Sequence, residues 1–271
     1  MDRHSTTADD YQGLPRPVGV LGKSYPSGAD IPLHQHRRGQ LLYAISGLMR
    51  VATGRTVFVL PPNRALWLPP GEPHALQILD RVEMRNLYIE PDVALFADPA
   101  PKILAMTPLV RALILRLLEE PPLYDEAGPP GMVAALLLAE IPRLAEVPLS
   151  AALPSDPRLR RLTDAILASP SVDWPLERAA EVAALSPRTL ERHIQSEIGM
   201  SYGRWRQQLL MLEAVALLES NISIPETSRR LGYANASAFT AAFKRSFGKS
   251  PSRFRTPDGG SGTDAQTAPS Q

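Results

Sequence analysis

Between residues 176 and 255 one pattern is written twice, 49 residues apart. Residues 186–201 lie over residues 235–250, which sets Leu190, Ile194 and Ile198 on Phe239, Phe243 and Phe247. A spacing of four keeps each apolar set on one helical face, and each segment stops at a glycine, Gly199 or Gly248. Residues 176–185 and 223–231 supply a short helix ahead of each copy. Ser186 before Pro187, and Ser250 before Pro251, read as N-caps with proline at the first helical position. Ser223 and Glu226 have the capping-box spacing, and Gly232 is a third stop signal. The 18 residues from 202 to 219 predict one connecting helix of about 27 Å. Two helix-turn-helix units held by such a helix can present recognition helices about one DNA turn, roughly 34 Å, apart.

The net charge of +1 conceals a division. Residues 157–257 hold fifteen Lys and Arg against nine Asp and Glu, a net +6, and the remaining chain carries −5. The excess matches the footprint of a polyanion binder and also that of a well-solvated helical surface. No 18-residue stretch is free of charge and proline, and the first residues lack the apolar core of a signal peptide, so the expectation is a soluble, cytoplasmic protein with no membrane partner. The absence of cysteine excludes disulfides, thiolate metal sites and cysteine nucleophiles, leaving His and oxygen ligands for any metal.

Residues 1–15 are polar and read as a mobile arm. Residues 16–97 show short β-type runs broken by Gly and Pro, at 41–45, 48–52, 55–60, 65–68, 74–79 and 84–89, as in a small antiparallel barrel or sandwich. Within 98–146, residues 103–120 and 132–144 are aliphatic and amphipathic. They predict two helices that pack on the barrel or form a dimer through residues such as Leu113, Leu117, Leu136, Leu137 and Ile141. Residues 147–157, with three prolines, read as an interdomain linker, residues 158–257 as the DNA-binding domain, and residues 258–271 as a disordered tail.

Two turn-centred motifs are sharper than the strand pattern. Gly28, His34, His36, Gln40 and Gly47 form the first; the run from Pro69 through Gly71 to His74 forms the second. Together they resemble the signatures of the cupin superfamily, a double-sheet barrel whose first-motif histidines and glutamate and second-motif histidine hold a divalent metal. Carried over residue by residue, the resemblance implies His34, His36, Gln40 and His74 as ligands of an ion such as Zn, Ni or Fe. His34 and His36, two apart on a strand, face the same side. Gln40 departs from the pattern, since a neutral amide replaces a carboxylate, and Ile78 stands where the second motif ends in Asn. The other reading makes the same residues, with Tyr43, polar groups of a metal-free effector pocket. Arg64, Trp67 and Tyr88 are further candidates to face inward.

Residues 158–255, and above all 224–255, resemble the AraC/XylS family of transcription regulators, in which a cupin barrel commonly precedes the DNA-binding domain. The resemblance implies an α+β chain: an N-terminal cupin (double-stranded β-helix) barrel followed by helices, then an all-α domain with two helix-turn-helix units joined by a long helix. It implies a sequence-specific regulator, not an enzyme and with no catalytic residues, whose barrel senses a small molecule. Its partners are double-stranded DNA, a small-molecule effector, RNA polymerase and a second copy of the chain. The family's base-reading positions fall on Arg188, Glu191 and Arg192 in the first unit and on Ala236, Ser237, Thr240 and Ala241 in the second. Arg188 and Arg192, four apart, share a face and suit bidentate contacts to guanine, whereas Ser237 and Thr240 offer single hydroxyls. Lys244, Arg245, Lys249 and Arg253 suit phosphate contacts. The competing reading is a metal-dependent, dioxygenase-like cupin enzyme fused to a DNA-binding domain. Gln40 argues against it, because neutral ligands leave an ion's charge uncompensated.

Overall fold

Two long strands, β3 (Gly39–Thr53) and β6 (His74–Ile89), run the full length of the N-terminal domain in this computed structural model, which describes residues 7–98 and 100–255. They pair antiparallel twice, Gly39 to Ala44 against Met84 to Ile89 and Leu48 to Thr53 against His74 to Asp80, with register shifts between. The shift falls at Gly47, where φ is +80° and a Cβ would overlap the Arg81 carbonyl. The bend lets one pair of strands serve both halves of the barrel, and the separate runs expected at 41–45 and 48–52 are one strand.

Around this pair lie β1 (Val18–Tyr25) and β2 (Asp30–His34) on β6, and β4 (Thr56–Leu60) and β5 (Arg64–Leu68) on β3. β7 (Lys102–Ala105) pairs with β5. The helix expected from residue 103 therefore begins later. Ile103 and Leu104 extend the sheet, and Thr107 caps α1 (Pro108–Leu118) by accepting from the Val110 amide. The second helix, α2 (Pro129–Glu140), ends in a short 3-10 turn over Ile141–Arg143. Val110, Ile114, Leu117, Ala134 and Leu137 bury against Leu41, Tyr43, Trp67 and Leu87 on one face of the sheet. The other face carries Leu42, Ala44, Met49, Val51, Phe58 and Leu60 into the barrel. Side chains alternate along a strand, so Gln40 and Leu42 on the inner face force Tyr43 outward.

The segment 147–157, expected as a linker, contributes one short strand to the sheet. β8 (Ser150–Ala152) pairs with β4, placing Ala152 opposite Thr56, and Leu149 and Ala151 are buried. Apolar residues at 147, 149 and 151 have strand periodicity, and adding this strand satisfies the open edge of β4. The arm is likewise ordered over its described part. Tyr11, 1% exposed, lies against Tyr88, and the fully buried Arg38 donates to the Leu14 and Arg16 carbonyls. Residues 1–6 of the arm, and the tail at 258–271, lie outside the described residues.

The C-terminal domain contains α3 (Pro157–Ala168), α4 (Leu176–Ala183), α5 (Pro187–Ile198), α6 (Tyr202–Glu219), α7 (Ile224–Arg230), α8 (Ala236–Phe247) and α9 (Pro251–Arg255). α6 is the central connector and rests on the barrel. Trp205 donates to the Ala152 carbonyl at 2.9 Å, and Arg50 meets Glu213 at 3.2 Å. Burial holds the Glu213 carboxyl above the usual range, while Arg50 opposes that shift. No helix among the described residues is long and apolar enough to cross a membrane.

Candidate DNA interface and effector pocket

Each recognition helix starts at a side-chain cap and ends at a left-handed glycine. Ser186 accepts from the Thr189 amide and Asn235 from the Ala238 amide; Gly199 and Gly248 have φ of +79° and +72°. Leu190 and Ile194 anchor α5, and Phe239 and Phe243 anchor α8, all fully buried. These anchors turn Arg188 and Arg192 outward on α5, and Ser237 and Ala241 outward on α8; Thr240 is half-buried.

Glu191 has a structural task. Its carboxylate accepts from the Tyr202 amide at 3.3 Å, at the start of α6, and the side chain is half-buried. The Ser223 capping box is half formed: Ser223 accepts from the Glu226 amide, while the Glu226 carboxylate turns to Arg229 and Arg230. Those guanidinium groups hold Glu226 down to about 2.

Of the four expected phosphate contacts, Lys244 projects from α8 into solvent. Arg245 lines a cleft beside Arg204 and Gln207, against the β8 segment. Lys249 and Arg253 line a second space between the domains, together with Arg64 and Arg111 of the barrel side. Arg64 is thus placed at the domain junction.

In the barrel, ligand-capable atoms of His34, His36 and His74 all lie within 4.8 Å of one another. The two turn motifs are tied together by the Gly71 amide, which donates to the His36 carbonyl at 2.8 Å. Nδ1 of His34 lies 2.8 Å from the Pro32 carbonyl, and Nδ1 of His74 lies 2.9 Å from the Glu72 carbonyl. A carbonyl only accepts, so each Nδ1 carries a proton, and in the neutral imidazole Nε2 is left as the acceptor. Nε2 of His74 is buried without a hydrogen-bond partner. Burial pushes His36 and His74 each down to about 4, with neighbouring imidazoles adding to the shift, so both are neutral at pH 7. Gln40 donates to Asn86 Oδ1 at 3.2 Å, and its own Oε1 is buried and unpartnered. Tyr88 closes one side, with its ring 5.1 Å from that of His36.

Tyr43 is absent from this group. With Trp67 it packs under α1 and α2 on the opposite face of the sheet, correcting its expected place in the pocket. Asn86 and Tyr11 are neighbours that the sequence motifs did not indicate. Asn86 pairs with Leu42 across the sheet and so shares the inner face, a relation set by register over 44 residues.

A β-rich domain with a histidine cluster, joined to paired helix-turn-helix units, defines an effector-sensing transcription regulator. Comparison with known proteins agrees: residues 20–127 match the AraC-like ligand binding domain and residues 179–257 a helix-turn-helix domain. The HTH-type transcriptional regulator NimR of Escherichia coli is 31% identical over 224 residues, 82% of this chain and 81% of its own length. RipA of Corynebacterium glutamicum is 32% identical over 111 residues, 41% of this chain and 34% of its own. Among solved structures, ToxT from Vibrio cholerae O395 is similar over 88% of this chain and 96% of its own, at 10% identity and a TM-score of 0.37. The chain belongs to the AraC family of transcriptional regulators.

Proposed function

We propose that the first helix-turn-helix unit reads DNA sequence, that the second mainly grips the backbone, and that both enter successive major grooves. The observation that carries this is the placement of cations on the two recognition helices. α5 exposes Arg188 and Arg192 in its first turns, where helix-turn-helix proteins meet base edges; α8 exposes Ser237 and Ala241 there and holds Lys244 and Arg245 in its last turns. Glu191, engaged at the α6 start, orients the domain instead of reading bases. Arg192→Ala is expected to relax base preference by about 1 to 3 kcal/mol, whereas Lys244→Ala weakens specific and scrambled DNA alike and reduces the salt slope by about one. Base preference lost in Lys244→Ala and kept in Arg192→Ala overturns the assignment.

The barrel is the sensor. His34, His36 and His74, with Gln40 through Oε1, would hold a divalent ion such as zinc, because the neutral imidazoles of His36 and His74 and the backbone-oriented rings of His34 and His74 suit such an ion. When bound, the ion supplies a Lewis-acid attachment point for an effector. The cluster contains three imidazoles and no carboxylate among the described residues. Metal analysis of purified protein and of His74→Ala tests this reading: about one ion per chain is expected in the former and little in the latter.

The regulator works as a cytoplasmic homodimer alongside RNA polymerase. Met132, Ala135, Leu136 and Ala139 form an exposed apolar stripe on α2 at spacings of three and four, a face suited to a second copy. Leu136→Glu is expected to give monomers in sedimentation; a persistent dimer removes α2 from the interface.

A further inference from the structure

Residues 153–157, between β8 and α3, are held by the barrel at one end and by the first recognition helix at the other. At the barrel end the Leu153 amide donates to the Arg55 carbonyl, in the turn between β3 and β4, at 2.7 Å. Arg160 of α3 donates to the neighbouring Gly54 carbonyl at 2.8 Å. At the other end one carboxylate oxygen of Glu197, on α5, accepts from the Ser155 amide at 2.7 Å, the Ser155 hydroxyl at 3.2 Å and the Asp156 amide at 3.2 Å. Asp156 is itself fixed, because it caps α3 by accepting from the Arg158 amide and pairs with the Arg158 guanidinium at 2.6 Å. Nδ1 of His193, one turn before Glu197, lies 3.5 Å from the same Asp156 carboxylate.

His193 and Glu197 are four apart and share one side of α5, while Arg188 and Arg192 share another. The buried Leu190 and Ile194 set the depth of the helix, but apolar attraction is non-directional and leaves it free to turn about its axis. Hydrogen bonds are directional, and those from backbone N–H groups to a carboxylate are among the stronger ones. Three donors converging on one oxygen of Glu197 therefore fix the rotation of α5, and with it the direction in which Arg192 points. A guanidinium must meet guanine O6 and N7 in their plane, so a small rotation costs discrimination while contacts to phosphate tolerate it. We propose that Glu197 is a positioning residue for base reading, which holds α5 to the barrel edge through residues 153–157. Only Pro154 separates Leu153, tied to the barrel, from Ser155, tied to α5, and its fixed φ makes the link stiff. A displacement of the turn between β3 and β4 is thereby delivered to the recognition helix. The inference rests on α5 being the base-reading helix, as proposed above.

The test compares Glu197→Ala with Glu197→Gln in the full chain, using competition between a DNA fragment selected on the unsubstituted protein and its scrambled version. Both substitutions remove the same charge, but the amide oxygen of glutamine still accepts from Ser155 and Asp156, and alanine accepts nothing. Glu197→Ala is expected to lower discrimination about fivefold relative to Glu197→Gln, with equal affinity of the two for scrambled DNA. Amide exchange at Ser155 and Asp156 is expected to be faster in Glu197→Ala than in Glu197→Gln. Arg160→Leu, which cuts a bond at the barrel end, is expected to lower discrimination as well, and the double variant to lose little more than Glu197→Ala alone. Equal discrimination in Glu197→Ala and Glu197→Gln, or a loss that falls alike on both DNAs, overturns the proposal and leaves Glu197 as a cap of α3. Full additivity of Arg160→Leu and Glu197→Ala overturns the link to the barrel. Base preference kept in Arg192→Ala overturns the α5 assignment and this proposal with it; preference lost in Arg192→Ala but kept in Glu197→Ala overturns this proposal alone.

Discussion

At equivalent places in the two helix-turn-helix units, Ile194 and Phe243 are fully buried, while Arg188 and Ser237, and Arg192 and Ala241, face outward. The inward positions keep their apolar character across the repeat because each must seat a helix of the same length against its neighbours. The outward positions carry no such constraint and have diverged. The second unit also contains an aromatic cluster with no counterpart in the first: the Phe243 ring lies 5.7 Å from Phe239, 4.6 Å from Phe247 and 5.4 Å from Phe254. A shared scaffold is thus compatible with different cores as well as different surfaces.

The largest expected effect separates the two cores. Phe243→Ala should cost about 4 kcal/mol of stability and Ile194→Ala about 3 kcal/mol, by denaturant unfolding of the full chain. Equal costs would mean that the aromatic cluster adds nothing beyond ordinary apolar packing. Next come the surfaces. Arg188→Ala should lower discrimination between specific and scrambled DNA by about 1 to 3 kcal/mol, and Ser237→Ala by well under 1 kcal/mol, in competition binding. A larger loss at Ser237 reverses the proposed division of labour.

The caps should behave alike, since Ser186 and Asn235 each accept one amide hydrogen. Ser186→Ala and Asn235→Ala are each expected to cost about 1 kcal/mol, and a clear inequality would show that the repeat is less symmetric than its geometry. The smallest effect is electrostatic. Glu226 on α7 is held down to about 2 by Arg229 and Arg230, below its ordinary 4.5. A depressed carboxyl contributes stability above the ordinary value and loses it as pH falls toward 2. Thermal unfolding of the unsubstituted chain and of Glu226→Gln should therefore differ slightly at pH 6 and converge near pH 2; a gap that widens on acidification contradicts the pairing.

Much of the recognition surface was legible because its determinants are local. A cap acts over three residues, an apolar face repeats every four, and a left-handed stop falls on a glycine, so α5 and α8 begin and end where the repeat predicts. His34, His36 and His74 were legible as motif members, and the barrel brings them together. Tyr43 was misplaced because facing depends on register, which one residue of slip inverts. Glu191 has a spacing that suits base reading, and its partner within the fold, the Tyr202 amide, lies eleven residues away across a turn, beyond the reach of a local pattern. The short strand inside the linker is hidden for a related reason: its periodicity spans only residues 147 to 151, among prolines, and acquires meaning from the open edge of β4.

By itself the sequence determined the duplicated helical scaffold, the β-rich first half, the histidine set and the asymmetry of the two recognition faces. These depend on residues within a few positions of one another, where helix and strand geometry leave little choice. Only the tertiary structure decided that Tyr43 serves the helical layer, that Glu191 caps α6, and that β8 seals the barrel edge. It also decided that Lys249 and Arg253 share a cavity with Arg111. Those relations join residues as far apart as 142 positions, and they are settled by which apolar faces must be covered and which open strand edges and backbone amides must find a partner.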